Sequence, residues 1–123
     1  MLLFAVQLTA ANRKFTLVID AGHGGTDHGA PGAYSKEKDL TLKYALAFGK
    51  YVEDNCPDVR VIYTRKTDVF VTLAGRADIA NKANADLFLS FHINAVTGSR
   101  AARGFQSWTL GRGEHSGDRG IKA

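Results

Sequence analysis

Two of the four histidines in this chain stand where an apolar run gives way to a loop, which is where imidazole chemistry is usually placed. His23 lies in Gly22-His23-Gly24-Gly25-Thr26-Asp27-His28-Gly29, directly after Phe15-Thr16-Leu17-Val18-Ile19, and His92 follows Leu87-Phe88-Leu89-Ser90-Phe91. Converging imidazoles suit a metal, because a catalytic zinc typically takes three protein ligands from His, Asp, Glu and Cys and keeps a fourth position open. The third ligand should be a carboxylate on the same edge. Glu37 is the best candidate, since it opens a helix whose dipole favours an ionised carboxylate by roughly 0.3–1 kcal/mol. Asp27, Asp39 and His28 compete for that place, and Asp20, nearer the strand, is positioned to orient a ligand histidine from behind.

Other chemistries fit less well. A dinucleotide fingerprint would need glycine at Asp27 and an immediate helix, and the Gly-Lys-Ser/Thr of a phosphate-binding loop does not occur. Asp27 would also repel a phosphate. Ser90 lies two residues before His92 on one predicted strand, and no Gly-x-Ser-x-Gly elbow is present, so a nucleophilic triad has no support.

The elements that must position these residues are legible in outline. Phe15–Ile19 reads as a strand buried on both faces, and the glycines after it allow a sharp turn. Glu37–Asn55 has helical spacing, with Leu42, Ala45, Leu46, Gly49 and Val52 on one face, entry at Ser35 or Lys36 and a stop at Cys56-Pro57-Asp58. Val59–Thr64 reads as a second strand. Thr72 is placed to cap a second helix, Leu73–Lys82, expected to bury Leu73, Ala77, Ile79 and Ala80. A third strand is expected over Leu87–Asn94 and a fourth over Gly104–Leu110, followed by a patternless tail. Strand, helix, strand, helix, strand implies an α/β fold: three layers, a mostly parallel sheet and crossover helices. Parallel strands bring His23 and His92 to one edge. Only two helices are visible and the chain stops in a loop-like stretch after Leu110, so the fold is expected to be truncated at its C-terminus.

At 123 residues and 45% hydrophobic, the chain has room for one domain. Its net charge of +4 is dispersed without a run of five or six basic residues, which argues against nucleic acid as a partner. Cys56 is the single cysteine and has no internal disulfide partner. Residues 1–11, apolar and ending in Ala10-Ala11, look like the back half of a secretory signal without its basic start. They are too few to span a bilayer, which needs about 20. A periplasmic or extracellular location is therefore expected.

Four blocks carry a more specific likeness: Val18-Ile-Asp-Ala-Gly-His23-Gly-Gly-Thr-Asp-His-Gly-Ala30, Glu37-Lys-Asp39, Arg76-Ala-Asp-Ile-Ala-Asn-Lys-Ala83 and Asp86-Leu-Phe-Leu-Ser-Phe-His92-Ile-Asn-Ala95. In order and spacing they resemble the zinc-dependent N-acetylmuramoyl-L-alanine amidases of the Amidase_3 type. The resemblance implies Zn2+ held by His23, Glu37 and His92. It implies hydrolysis of the amide joining the lactyl group of muramic acid to L-alanine in peptidoglycan, with zinc polarising the carbonyl and lowering the pKa of its water toward about 7. Asn94, taken as sharing a strand face with His92, is expected to hydrogen-bond substrate or a ligand.

The departures matter too. His28 stands where the family usually has proline, and is expected to be peripheral. Ala74-Gly75 replace acidic residues at the second helix start. The family's catalytic glutamate lies on a late strand with a closing helix, and Glu114, in Gly111-Arg-Gly-Glu-His-Ser-Gly117, does not resemble it. Residues 15–123 therefore read as an incomplete amidase domain, with the general base beyond Ala123 and the chain inactive alone. The alternatives are a non-catalytic peptidoglycan-binding module of the same fold and a metal-dependent hydrolase of another amide.

Overall fold

The central element is β1 (Phe15–Ala21), flanked by β2 (Val59–Tyr63) and β3 (Leu87–Phe91), both parallel to it. This computed structural model describes residues 13–95, 104, 106–109 and 121–122; the signal-like segment and Glu114 lie outside them. Strand order β2-β1-β3 means the chain steps one way from β1 and then back past it. Right-handed crossovers put α1 (Glu37–Asn55) and α2 (Leu73–Lys82) on opposite faces, giving three layers.

Alternation along β1 decides what each helix meets. Leu17, Ile19 and Ala21 face α1 and form the core with Ala45 and Val52, joined by Leu42, Val61, Tyr63, Leu89 and Phe91. Full burial of a side chain such as Ile19 is worth about 1.5–3 kcal/mol. The helix comes close at Gly49, where a Cβ would lie 2.0 Å from the Tyr63 hydroxyl. Val18 and Asp20 point to the other side, where Arg76 of α2 reaches Asp20.

Three expectations are corrected. α2 does not bury Leu73 and Ala77: Leu73 is 86% exposed, Ala77 is exposed, and the residue that α2 buries is Arg76. At the end of β1 this helix meets the Asp20 carboxylate and the Ala21 and His23 carbonyls, which Arg76 satisfies. β3 ends at Phe91 and does not run to Asn94: Gly22 N–H donates to the Phe91 carbonyl as the last bond to β1, and the Ile93 N–H donates to Glu37 instead of continuing the ladder. The fourth strand shrinks to β4 (Trp108–Thr109), which pairs antiparallel with β5 (Ile121–Lys122) in the supposedly patternless tail, so the parallel sheet has three described strands. Gly104, with φ +133°, is in a conformation that does not belong to a strand.

Candidate metal centre

After Ala21 the backbone enters the left-handed region at His23, with φ +62°, and at Gly25, with φ +56°. A histidine there is strained unless its surroundings hold it. They do so at every carbonyl from 21 to 25. Ala21 O accepts from Arg65 Nε (2.9 Å) and Arg76 Nη1 (2.8 Å), and Gly22 O accepts from Arg65 Nη2 (2.9 Å) and Thr41 Oγ1 (2.7 Å). His23 O accepts from Arg76 Nη2 (2.8 Å), Gly24 O from Asp27 N (3.0 Å) and Gly25 O from Lys38 Nζ (2.9 Å). Lys38 is itself paired with Asp68, whose other oxygen accepts the Gly25 N–H at 2.7 Å.

This turn brings three of the sequence-derived candidates together. One ligand atom from each of His23, Glu37 and His92 lies within 4.8 Å of the others. His23 Nε2 is 3.2 Å from Glu37 Oε2, and His92 Nδ1 is 3.2 Å from Glu37 Oε1; the rings meet edge to face at 4.9 Å. The two imidazoles thus approach different oxygens of one carboxylate, close enough together for a single cation to be shared among the three side chains. The donor set, two imidazoles and a carboxylate, suits zinc.

The carboxylate is prepared for that role. Glu37, 7% exposed, accepts the Ala30 N–H on Oε2 and the Ile93 N–H on Oε1, each at 2.8 Å. Burial pushes its pKa up, but these amides and the neighbouring His23 and His92 outweigh it and hold the carboxyl below its ordinary value. Asp27 Oδ2 lies 2.9 Å from His23 Nδ1, while its Oδ1 accepts the Gly29 N–H at 3.1 Å. With the proton on Nδ1, His23 presents a lone pair at Nε2 to the Glu37 carboxylate, an arrangement that a cation between them would stabilise. Glycine is required beside both imidazoles: a Cβ at Gly22 would lie 2.4 Å from His92 Cε1, and one at Gly29 2.7 Å from His23 Cδ2.

Other candidates fall elsewhere. His28 and Asp39 are exposed and outside the cluster. Asp20 bonds no histidine; it accepts from Thr64 Oγ1, Arg76 Nη1 and Ser90 Oγ, each at 2.6 Å, because its side chain points toward α2, beneath the loop. Its influence on His23 passes through Arg76. Asp27 is the carboxylate that meets the ring. Asn94, past the end of β3, donates to Gln106 Oε1 at 3.1 Å and shares with Glu37 and Ile93 the lining of a small cavity of about 120 Å³. Beside His23 and His92 opens a larger cavity, about 420 Å³, walled by Phe70, Val71 and Leu73. Sequence reasoning missed Arg65 and Arg76. The only signals were an arginine at the end of a strand and another inside a helix face expected to be apolar.

A family profile described as N-acetylmuramoyl-L-alanine amidase (Amidase_3) matches residues 17–120, which include all three clustered side chains. The chain belongs to the N-acetylmuramoyl-L-alanine amidase family. Among its relatives, the sporulation-specific N-acetylmuramoyl-L-alanine amidase of Bacillus subtilis is 40% identical over 92 residues, covering 75% of this chain and 34% of that protein. The endolysin of Bacillus phage SPP1 is 46% identical over 90 residues, covering 73% and 32%. Among solved structures, the catalytic domain of CwlV from Bacillus (Paenibacillus) polymyxa var. colistinus superposes with a TM-score of 0.67 at 38% identity, covering 72% of this chain and 49% of that one. The amidase-family chain thus spans about a third of the length of these curated relatives. No helix among its described residues is long and apolar enough to cross a membrane.

Proposed function

We propose that this amidase-family chain binds Zn2+ through His23, Glu37 and His92 and takes part in hydrolysing the amide between N-acetylmuramic acid and L-alanine of peptidoglycan, outside the cytoplasm. The observation that carries the reading is the convergence of two imidazoles on a buried carboxylate whose oxygens are both oriented by backbone amides. The family membership supports the reaction class, and the apolar start at residues 1–11 supports export.

When bound, zinc supplies Lewis acidity to an amide carbonyl and acidifies water. The chain's own residues do the rest. Asp27 holds the proton on His23 Nδ1 and keeps Nε2 aimed at the centre. Glu37, fixed by Ala30 and Ile93, cannot swing away. The cavity beside the imidazoles has the size of a small-molecule site, and its Phe70-Val71-Leu73 wall offers apolar contact to a peptide stem. Two carboxylates line that cavity, and both are committed: Asp27 to His23, Asp20 to Arg76, Thr64 and Ser90. Both being so engaged supports placing the general base outside the described residues.

Metal analysis and peptidoglycan digestion on the same preparations test this. The chain should retain one zinc that His23→Ala abolishes, and should release negligible stem peptide, because loss of a general base typically costs about 10²–10⁴ in rate. Unchanged zinc in the variant would show that the assigned ligands are wrong. Robust zinc-dependent release would show that the base is already in place.

A further inference from the structure

We infer that Arg65 is a positioning residue that sets the zinc affinity of this centre by tying together the three segments that carry its ligands. The inference rests on the reading of His23, Glu37 and His92 as those ligands.

Arg65 lies against the backbone that precedes His23. It stands two residues past β2, is only 3% exposed, and contributes no ligand atom to the cluster. Its Nη2 donates to Gly22 O at 2.9 Å and to Lys38 O at 2.8 Å. Gly22 immediately precedes His23, and Lys38 immediately follows Glu37. One nitrogen therefore joins the backbone next to one ligand to the backbone next to another. The third segment is attached at the same point, because Gly22 N donates to the carbonyl of Phe91, the residue before His92, at 3.0 Å. Each ligand-bearing segment is thus fixed one residue away from its ligand, and Gly22 is the shared node.

The remaining donors of Arg65 lock the node in place. Nε donates to Ala21 O at 2.9 Å and Nη1 to Thr67 O at 3.2 Å, while Nη2 also lies 3.2 Å from Thr41 Oγ1. Thr41, fully buried on α1, donates to the same Gly22 carbonyl at 2.7 Å. The planar fork of a guanidinium spans acceptors on the β1 end, the first turns of α1 and the loop after β2 at once; a lysine ammonium, a single point, does not. Burying such a charge among neutral acceptors is unfavourable for stability unless its hydrogen bonds are well made. Positional control of the cluster is the return for that cost.

Zinc affinity of the full chain, measured by competition with a chromogenic chelator, tests the assignment, with far-UV circular dichroism confirming the fold at the same temperature. Arg65→Lys keeps the charge and should weaken zinc binding about 10–100-fold, the range for residues that orient metal ligands. Val52→Ala, which loosens the core at the far end of α1, should leave the affinity of the folded protein unchanged. Parental affinity in folded Arg65→Lys, or an equal loss in Val52→Ala, overturns the inference. If Arg65→Lys does not fold, Thr41→Val decides: it should weaken zinc binding to a smaller degree with Thr41→Ser restoring it, and parental affinity in Thr41→Val overturns the inference. A parent chain that binds no zinc refutes the metal centre itself, an outcome visible before any variant is made.

Discussion

α1 lies against one face of β1 through Ala45 and Val52, with Leu42 beside them and Gly49 over Tyr63 of β2, a stripe of small and apolar residues above Leu17, Ile19 and Ala21. α2 lies against the opposite face through Arg76, which donates to Val71 O, Asp20 Oδ1, Ala21 O and His23 O, while Leu73 at its start is left 86% exposed. Beyond its first turns, which Lys38 and Thr41 hydrogen-bond to the loop, the first attachment is spread over non-directional contacts. The second is concentrated in one guanidinium. Apolar burial fixes that a helix covers a sheet, but it tolerates small shifts; a forked set of hydrogen bonds tolerates few. The difference teaches where this molecule needs accuracy: at the α2 side and the strand ends, beneath the loop that carries His23.

If that contrast is right, the largest single effect should come from Arg76. Arg76→Met would leave the Asp20 carboxylate, 3% exposed, without its ionic partner, and breaking a buried pair in this way costs about 3–5 kcal/mol. Urea unfolding of the zinc-free chain would read it. Pairing the change with Asp20→Asn should recover a good part of the loss, since the orphaned charge is then gone. A loss within about 0.5 kcal/mol, the range of an ordinary surface substitution, would erase the distinction between the helices.

The same pair should make the α2 side sensitive to acid. Burial pushes the Asp20 pKa up, but hydrogen bonds from Ser90, Thr64 and Arg76 and the Arg76 charge outweigh it, leaving the carboxyl below its ordinary 3.8. A depressed acid contributes stability that is complete above its unfolded-state pKa and is lost as pH falls through the folded one. The window for Asp20 therefore lies at and below pH 3.8. Stability of the parent and of Asp20→Asn, measured from pH 6 toward pH 2, should converge in acid; a gap that stays constant would mean that the Asp20 charge contributes nothing.

The contrast also explains what could be read from the sequence. Ala45, Gly49 and Val52 recur at helical spacing, so the apolar face of α1 was visible, as was Glu37 at its start. Metal-binding side chains are also few in kind, which made His23, Glu37 and His92 stand out. The α2 side is hard to read because periodicity counts apolar residues and gives an arginine no place in the core, so it points to Leu73 and Ala77 and passes over Arg76. Arg65 and Arg76 bond mainly to backbone carbonyls, and a carbonyl leaves no mark on residue type. Asn94 was placed by extending strand alternation past Phe91, but whether Ile93 N–H joins the ladder or meets Glu37 is settled by tertiary packing.

The smallest effect concerns how each helix begins. α1 has 19 residues and starts at Lys36 without a side-chain cap, whereas α2 has 10 and starts at Thr72, whose Oγ1 accepts the Gly75 N–H at 3.0 Å. The first N–H groups of α1 already donate to the Ala30, His28 and Lys36 carbonyls, and a long helix with an apolar stripe draws its stability from packing along its length, so the missing side-chain cap matters little. A short helix attached through one arginine has less to draw on, and Gly75 in its first turn weakens it further. Thr72→Ala should therefore cost about 1 kcal/mol, with faster amide exchange over residues 73–82, while Lys36→Ala should change neither stability nor exchange measurably. Equal costs for the two substitutions would mean that α1 depends on its first turn as much as α2 does, and the contrast would then rest on Arg76 alone.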